Sequence, residues 1–413
     1  MADVVASWES GAPMGVPRQE VAGAALGDRV YVVGGVAAGE PAPSAVVETY
    51  DTIADRWSLV ASLPFPLRGV AAAATGGTLY AVGGFAAGNG AVADVFAYDP
   101  ADDTWTARAP LPAPRGAAAA VAFGGKVYVA GGLRDGAALH DFAVYDPAAD
   151  AWGVLPLLPH AREALGLAAT DILLYAMGGR DGGTPLSIGE LFYPPTNEWF
   201  KEVAPLITAR GGLALAALGN RVYAFGGDGP LGILPDVDMF DPTRNSWFPQ
   251  AALPTPRARL VAVPVGGRVY VVGGATQDVL SPTGATEIFL PASADVLTVK
   301  KLALARRGKR LRLVAAVPGA TADPATVQLR VRVREGDAGV AAVTLGTGAL
   351  VAKGRGWRAA PGALPRGAAL SLRRRRDETV LRLAGATLTP PTSRHGLGVV
   401  VELGARVLSG TVR

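Results

Sequence analysis

A pair of adjacent glycines closes a short apolar run six times along the 413-residue chain, at intervals of 47 to 49 residues. The pairs are Gly34-Gly35, Gly83-Gly84, Gly131-Gly132, Gly178-Gly179, Gly226-Gly227 and Gly273-Gly274. Tryptophans recur with the same step, at Trp8, Trp57, Trp105, Trp152, Trp199 and Trp247. A repeat of this length indicates one supersecondary unit that buries its apolar faces against copies of itself.

Each unit has the pattern of four short strands separated by turns. In the third unit, residues 116–123 are mostly small, and the turn Gly124-Gly125 leads into the β-rich run Lys126–Ala130. A variable loop follows, then a strand that ends in Tyr145-Asp146 and a polar turn before Trp152. Six such units of four antiparallel strands predict an all-β protein, a six-bladed β-propeller.

The ends of the repeat array predict how the ring closes. No tryptophan follows Phe289 at the expected spacing, whereas Trp8 precedes the first complete unit. We expect residues 6–10 to supply the outermost strand of the last blade. Such a strand closes the ring and removes an open sheet edge, which would otherwise favour aggregation.

These features resemble the kelch-repeat family, whose unit has Gly-Gly after its second strand, Tyr-Asp after its third and a spaced Trp in its fourth. The corresponding segments here are Val32-Val33-Gly34-Gly35, Tyr50-Asp51, Tyr98-Asp99, Tyr145-Asp146 and Phe240-Asp241. The resemblance covers roughly residues 1–291. The fourth unit departs from the pattern with Thr170-Asp171 and Tyr193-Pro194, and the sixth ends at Phe289-Leu290.

Charge divides the chain into two predicted domains. Residues 296–413 carry 22 of the 39 Lys and Arg residues but only 6 of the 35 Asp and Glu residues, a balance of +16. The remainder has a balance of −12. Such asymmetry between parts of a chain is typical of domains with different surroundings. We therefore expect a propeller over residues 1–295 and a basic domain over residues 296–413.

The basic domain shows period-two alternation, as where Leu311 and Leu313 alternate with Arg310 and Arg312. This pattern predicts half-buried strands in a small β-sandwich. In composition and order it resembles the β-sandwich modules appended to secreted proteins of high-GC bacteria. The run Arg373-Arg374-Arg375-Arg376 suits a polyanion, or equally a solvated surface or a surface that docks on the acidic propeller.

An arginine also recurs in every unit, just before the first strand. The set is Arg18, Arg68, Arg115, Arg162, Arg210 and Arg257. Strand direction places these arginines on the same face as the variable loops that follow the glycine pairs, and we call it the loop face. Six guanidinium groups near one channel mouth suit carboxylates or phosphates, and kelch proteins that bind acidic peptides use arginines at this repeat position. The alternative is that they tie the blades together.

Two histidines lie beside carboxylates on the same face, His140 with Asp141 and His160 with Glu163. Either pair suits acid–base chemistry or a weak metal site, and either equally suits ordinary loop residues. We include His160 and Glu163 with the six arginines as candidate ligand-binding residues. We expect no catalytic residue, no metal and no cofactor.

Known propeller enzymes restrict the alternatives. The chain has no cysteine, which excludes disulfides and a galactose-oxidase-like Tyr–Cys crosslink. Sialidase Ser-x-Asp-x-Gly-x-Thr-Trp boxes and the iron motif of nitrile-specifier proteins are missing. The sialic-acid mutarotase family, six-bladed kelch enzymes that bind an acidic sugar, stays open as an alternative.

The sequence thus predicts a non-enzymatic binding scaffold, whose loop face recognises a protein, a peptide or an acidic glycan. The alternative is a mutarotase-like isomerase acting on an acidic sugar. We expect a monomer without a transmembrane segment. The compartment stays open: extracellular or periplasmic for a chain whose signal peptide has been removed, and cytoplasmic otherwise.

Overall fold

The computed structural model describes residues 6–277 and 280–291 and, beyond them, the strands between residues 298 and 412. Side chains are described as far as Pro291, except those of Lys201 and Glu202. The chain divides into two compact units, with Trp8–Phe289 in the first and the strands beyond Leu290 in the second. The domain boundary predicted at residue 295 stays a prediction.

The first unit is a six-bladed β-propeller, as predicted, and every blade is a four-stranded antiparallel sheet. From the channel outward, the strands of blades 1 to 3 are Ala22–Leu26, Arg29–Val33, Val47–Asp51 and Arg56–Val60; Ala71–Thr75, Thr78–Val82, Val95–Asp99 and Thr104–Arg108; Ala119–Phe123, Lys126–Ala130, Phe142–Asp146 and Ala151–Val154. Those of blades 4 and 5 are Gly166–Ala169, Leu174–Met177, Gly189–Tyr193 and Glu198–Val203; Ala214–Leu218, Arg221–Phe225, Val237–Asp241 and Ser246–Pro249. Those of blade 6 are Val261–Val265, Arg268–Val272, Thr286–Leu290 and Ser7–Gly11.

The outermost strand of blade 6 comes from the N-terminus, which confirms the predicted closure of the ring. Trp8 packs on Phe289 with ring centroids 5.1 Å apart, and its indole N–H donates to the carbonyl of Ala251 in blade 5. Arg268 forms an ion pair with Glu9 at 2.9 Å. The two ends of the propeller are therefore joined by strand pairing, ring packing and a charge pair.

The apolar core lies between neighbouring blades. Each cluster of buried residues combines side chains of two adjacent blades, such as Val82 of blade 2 with Val127 of blade 3. The repeated tryptophans add a polar bond between blades. Trp105 donates its indole N–H to the carbonyl of Ala61, while the N–H of Ala61 donates to the carboxylate of Asp103. Because every blade packs on both neighbours, the recurring aromatics are used by the ring itself.

The glycine pairs mark a close approach between blades. Gly83 has a φ of 59°, and a Cβ there would lie 2.4 Å from the carbonyl oxygen of Arg115 in the next blade. Gly131 stands in the same relation to Arg162, also at 2.4 Å. Only glycine combines the left-handed conformation with this lack of space, which explains why the pair recurs in every blade.

Four short paired segments lie on the loop face; the first joins a blade entry to the loop after the glycine pair, and the other three are hairpins within such a loop. They are Arg18–Gln19 with Val36–Ala37, Leu133–Arg134 with Ala137–Ala138, Arg180–Asp181 with Thr184–Pro185, and Asp228–Gly229 with Gly232–Ile233. A 3-10 turn at Ala87–Asn89 lies in the loop of blade 2. None of the helical segments that the structure describes is long and apolar enough to span a membrane.

The second unit contains ten strands in two antiparallel sheets, which the structure describes by their backbone. In spatial order, the six-stranded sheet contains Thr298–Leu304, Arg310–Pro318, Glu378–Thr387, Ala369–Arg375, Gly356–Ala359 and Leu350–Lys353. The four-stranded sheet contains Ala338–Leu345, Leu329–Glu335, Leu397–Leu403 and Arg406–Val412. The side chains of the Arg373–Arg376 run lie outside the described residues, and the β-sandwich and polyanion interpretations stay predictions.

Candidate functional site

The loop-face mouth of the central channel is framed by a closed ring of backbone hydrogen bonds. One residue per blade contributes to this belt: Glu20, Gly69, Ala117, Ala164, Gly212 and Arg259. Each donates its N–H to the carbonyl of the belt residue in the preceding blade, at 2.7 to 3.1 Å. All six have positive φ values between 49° and 59°. The belt thus fixes six successive blade entries around the channel, and its backbone groups are satisfied without a ligand.

Five of the six arginines singled out in the sequence lie beneath this belt, away from solvent. Arg18, Arg115, Arg162, Arg210 and Arg257 have no more than 1% of their surface exposed. We call these five the framework arginines. Arg18 is representative: it donates to the carbonyls of Gly34 and Val46 at 2.6 and 2.7 Å and contacts Glu48 at 2.9 Å. It thereby ties the blade entry to the second and third strands of the same blade.

Three of the other framework arginines have equivalent buried acidic partners, whereas Arg115 contacts the partly exposed Asp141 at 3.3 Å. Arg162 meets Glu190 at 2.5 Å, and Arg210 meets Asp238 at 2.6 Å. Burial lowers the pKa of all five guanidinium groups, and their acidic partners oppose this shift. Charged groups at this depth are stable only when they are paired. The alternative interpretation expected these arginines to tie the blades together, whereas each side chain contacts carbonyls or carboxylates of its own blade. A ligand on them stays an untested prediction.

Arg68 occupies a different position from the other five. It lies 12 residues before its blade's tyrosine, Tyr80, whereas the framework arginines lie 13 residues before theirs. The framework position of blade 2 is filled by Leu67, which is fully buried. Arg68 instead reaches the channel mouth, where it contacts Glu20 at 2.6 Å and lies over the ring of Phe85, 4.9 Å from its centroid. A side chain one residue along a strand-like segment points the other way, so this single-residue offset decides exposure.

A cavity of about 610 Å³ opens at the belt and continues into the channel. Its charged lining residues are Glu20, Arg68, Asp135, Glu163, Arg180, Asp228 and Arg259. Its deeper wall is apolar, with Leu165, Leu167, Leu213, Leu215 and Val261 among the lining residues. A second space of about 310 Å³ lies further along the channel and is lined mostly by alanines. Charged groups above an apolar wall are typical of a site for a small ligand or for one end of a larger one.

The three arginines of the mouth differ in how well they are paired. Arg68 has Glu20, and Arg180 contacts Asp228 at 2.8 Å. Arg259 has only a long contact to the same carboxylate, at 3.7 Å, and 36% of its side chain is exposed. Arg259 is therefore the mouth guanidinium with the most capacity left for a bound anion.

Glu163, a candidate from the sequence, lines the same cavity. Burial raises the pKa of its carboxyl group, and nearby Arg180 and Arg259 oppose that shift. Within the part of the chain that the structure describes, its carboxylate has no hydrogen bond and no ion pair within 4.0 Å. Glu163 is thus a half-buried acid that a protonated or cationic partner would satisfy.

His140 and His160 are not part of the cavity lining. The Nδ1 atom of His160 is 2.6 Å from Glu190, whose other oxygen contacts Arg162, so His160 belongs to a framework ion pair. His140 contacts the carbonyl of Leu158 at 2.8 Å, while Asp141 pairs with Arg115. Neither predicted His–carboxylate pair is brought together. That His160 contacts a ligand stays a prediction.

Sequence reasoning missed four charged residues of the mouth: Glu20, Arg180, Asp228 and Arg259. They occupy two repeat positions, two residues after a framework arginine or directly after a glycine pair. Most blades have small or apolar residues there, such as Ala117, Gly69 or Leu133. The signal in the sequence was a charge that departs from the repeat, not one that follows it.

Two glycines make room for side chains of the mouth. A Cβ on Gly211 would lie 2.5 Å from the Cγ of Arg180, and a Cβ on Gly116 would lie 2.3 Å from the ring of Phe85. Each side chain thus lies over a glycine of the following blade. The positions of Arg180 and Phe85 therefore depend on the absence of a side chain next door.

Comparisons with known proteins agree with this architecture. The family model of the KLHDC2/KLHL20/DRC7 Kelch-repeats domain matches residues 20–227, and the Kelch motif matches residues 209–254. No curated protein matches the chain. A solved structure titled "Structure of YjhT" is similar at 17% sequence identity with a TM-score of 0.59, over 66% of this chain and 95% of that one. The described sheets, the repeat and the family models agree, and the chain belongs to the kelch-repeat β-propeller family.

Proposed function

We propose that this protein is a non-enzymatic binding module, and that its channel mouth holds a carboxylate of a protein, a peptide or an acidic glycan. The kelch propeller is a general protein-interaction fold. The observation that supports the proposal most directly is the convergence of Arg68, Arg180 and Arg259 on one cavity of about 610 Å³. Arginine presents a planar fork of donors that matches a carboxylate.

Arg259 is the expected primary contact. Its nearest carboxylate oxygen, on Asp228, is 3.7 Å away, beyond good hydrogen-bond distance. Arg180 already contacts Asp228 at 2.8 Å, and Arg68 already contacts Glu20 at 2.6 Å. A ligand carboxylate therefore gains most from Arg259, and Arg180 is the nearest alternative donor.

The apolar wall below the arginines adds a second requirement. Leu165, Leu213 and Val261 line the same cavity, with alanines further along the channel. A ligand that carries an apolar portion next to its carboxylate would bury that portion here, at about 25 cal/mol for each Å² removed from water. A peptide segment that carries a carboxylate beside an apolar side chain meets both requirements.

Calorimetric titration of the full chain tests the proposal, with glutarate, glucuronate and a tetraglutamate peptide as probes. Arg259→Gln is expected to weaken binding of the effective probe about tenfold or more, which corresponds to about 1.4 kcal/mol. Arg244→Gln is the matched control, because Arg244 is 69% exposed and lies in the turn between the third and fourth strands of blade 5, on the opposite face. Equal affinities for both variants and the parent chain would contradict the proposed site.

One observation supports the isomerase alternative. Glu163 is an acid whose pKa is raised by burial, in the same cavity as the arginines, and a group of this kind suits proton transfer. An isomerase would convert the α and β anomers of an acidic sugar faster than buffer does, and Glu163→Gln would abolish that acceleration. NMR exchange spectroscopy on sialic acid measures this directly. If the parent chain does not accelerate the exchange between anomers, the isomerase alternative is wrong and the binding module is the remaining proposal.

A further inference from the structure

The charges of the channel mouth are nearly balanced, which limits what kind of ligand suits it. The lining has three cationic side chains, Arg68, Arg180 and Arg259, and four acidic ones, Glu20, Asp135, Glu163 and Asp228. A ligand with net negative charge adds to an acidic excess there. A ligand that carries one positive and one negative group adds no net charge to the site.

Pairing within the mouth leaves one cationic and two acidic groups of the lining, Arg259, Glu163 and Asp135. Glu20 neutralises Arg68, and Asp228 neutralises Arg180, at 2.6 and 2.8 Å. Asp135 is exposed to solvent, whereas Glu163 is half-buried and its carboxylate has no hydrogen bond or ion pair among the described residues. Arg259 has its long contact of 3.7 Å to Asp228. Glu163 and Arg259 line the same cavity. Burial raises the pKa of Glu163, and the charges of Arg180 and Arg259 oppose that rise.

The backbone at Arg259 supports a role for its side chain. Arg259 is in the left-handed conformation, with a φ of 56°, where four of the six belt residues are glycine or alanine. A long side chain is uncommon in that conformation, and outliers of this kind concentrate at binding sites. The belt fixes this backbone on both sides, because Arg259 donates to Gly212 and accepts from Glu20.

The deeper wall then selects among small zwitterions. Leu165, Leu167, Leu213 and Leu215 line the cavity below the charged groups. A ligand that extends an aliphatic chain from its charged end would bury that chain against these leucines.

We infer that the channel mouth binds a small zwitterion of the aliphatic α-amino-acid type. Its carboxylate contacts Arg259, its ammonium contacts Glu163, and its side chain packs against the leucine-lined wall. The inference rests on the proposed function, since the carboxylate site is the same. It goes further by adding a required cation and by identifying Glu163 as its partner.

Three probes that differ by one charged group each test the inference on the full chain. They are L-leucine, 4-methylpentanoate, which lacks the ammonium, and 3-methylbutylamine, which lacks the carboxylate. Titration calorimetry at pH 7 is expected to give leucine an affinity at least tenfold higher than either analogue, because each analogue leaves one charged group of the site unpaired.

Two variants test which residue contacts the ammonium and which contacts the carboxylate of the ligand. Glu163→Gln, which keeps the size of the side chain, is expected to lower the affinity for leucine at least tenfold while leaving the affinity for 4-methylpentanoate unchanged. Arg259→Gln is expected to lower the affinities for leucine and 4-methylpentanoate and to leave the affinity for 3-methylbutylamine unchanged. Arg244→Gln, on the opposite face, should change none of the three affinities. Unliganded melting temperatures no lower than that of the parent chain show that these variants are folded.

The outcomes separate the inference from the proposed function. If 4-methylpentanoate binds as tightly as leucine, the zwitterion is wrong and the carboxylate site stands. If none of the three compounds binds while glutarate or tetraglutamate does, the zwitterion is again wrong and the binding module stands. If leucine binds and Glu163→Gln has no effect, the assignment of the ammonium to Glu163 is overturned.

Discussion

The framework arginines and the mouth arginines are the same residue type in opposite environments. Framework arginines are at most 1% exposed and pair with an acid of their own blade, as Arg210 does with Asp238 at 2.6 Å. Mouth arginines are 23 to 36% exposed and line a cavity. The first kind recurs at one repeat position, whereas Arg68, Arg180 and Arg259 each occupy a different one. In this ring, the repeated arginines join strands of single blades, and the exceptions line the cavity.

Blade 2 contains an exception within the framework itself. Leu67 stands at the framework arginine position, and Phe96 stands where Glu48, Glu190, Asp238 and Glu287 stand in other blades. Leu67 and Phe96 belong to one apolar cluster. Both members of a buried ion pair are thus replaced by apolar residues, a change that is often neutral or favourable because neither charge is left alone.

Breaking a framework pair from one side is expected to have the largest effect. Arg210→Met leaves the buried carboxylate of Asp238 without its cation, which should lower the free energy of unfolding by about 3–5 kcal/mol. Urea unfolding followed by tryptophan fluorescence measures it. Arg259→Met is the matched change at the mouth and should alter stability by no more than about 0.5 kcal/mol. Similar losses in the two variants would erase the distinction between framework and mouth.

Restoring the pair in blade 2 sharpens the same comparison. Leu67→Arg and Phe96→Glu each bury one lone charge, and each is expected to lower the free energy of unfolding by about 3 kcal/mol. The double variant is expected to recover about 1–3 kcal/mol relative to the sum of the single changes, because the two charges meet. A double-mutant cycle in urea gives this coupling. Additive losses would show that blade 2 no longer has the framework geometry.

A small change beside the mouth is expected to alter binding more than stability. Gly211 has an ordinary backbone conformation, and an alanine Cβ there would lie 2.5 Å from the Cγ of Arg180. The flexible arginine can move aside, so Gly211→Ala should cost less than about 1 kcal/mol of stability. Displacing Arg180 from the cavity should weaken glutarate binding about tenfold, or about 1.4 kcal/mol. Gly90→Ala is the control, since a Cβ there meets nothing within 4 Å; equal affinities for the two variants would contradict a role for Arg180.

The sequence predicted the ring because the ring is made of local, repeated interactions. Glycine pairs, tryptophans and Tyr-Asp dipeptides recur with the blades, and even the closing strand was visible from Trp8. The site was less predictable, since only Arg68 and Glu163 among the eight candidates line the cavity. Arg68 was grouped with the other five arginines although it is shifted by one residue within the repeat. In an extended segment, a shift of one residue moves a side chain to the opposite side of the chain. Arg180 and Arg259 were missed because a search for recurrence overlooks single occurrences.

Two carboxyl groups, Asp150 in a turn of blade 3 and Glu163 at the mouth, are expected to change stability with pH in opposite directions. Both effects are smaller than those of the substitutions above. In blade 3, hydrogen bonds from Tyr145 and from the N–H of Ala109 lower the pKa of Asp150. A lowered folded-state pKa contributes stability that is present above the unfolded-state pKa and is lost as pH falls through the folded-state pKa, so this contribution fades in acid. Asn245 holds the equivalent position in blade 5 and accepts from Ala204 at 2.9 Å without a titrating group. Asp150→Asn is therefore expected to keep the hydrogen bonds and to make unfolding less sensitive to acid.

At the mouth the sign reverses, because burial raises the pKa of Glu163. A raised folded-state pKa means that the folded protein holds its proton more tightly than the unfolded chain does, so stability falls as pH rises through that range. Glu163→Gln removes this loss, and its stability relative to the parent chain is expected to increase from pH 4 to pH 7. Melting temperatures of the parent chain and the two variants across pH 2 to 7 give both slopes. Parallel curves for Glu163→Gln and the parent chain would mean that Glu163 is satisfied in the free protein and is not available to a ligand cation.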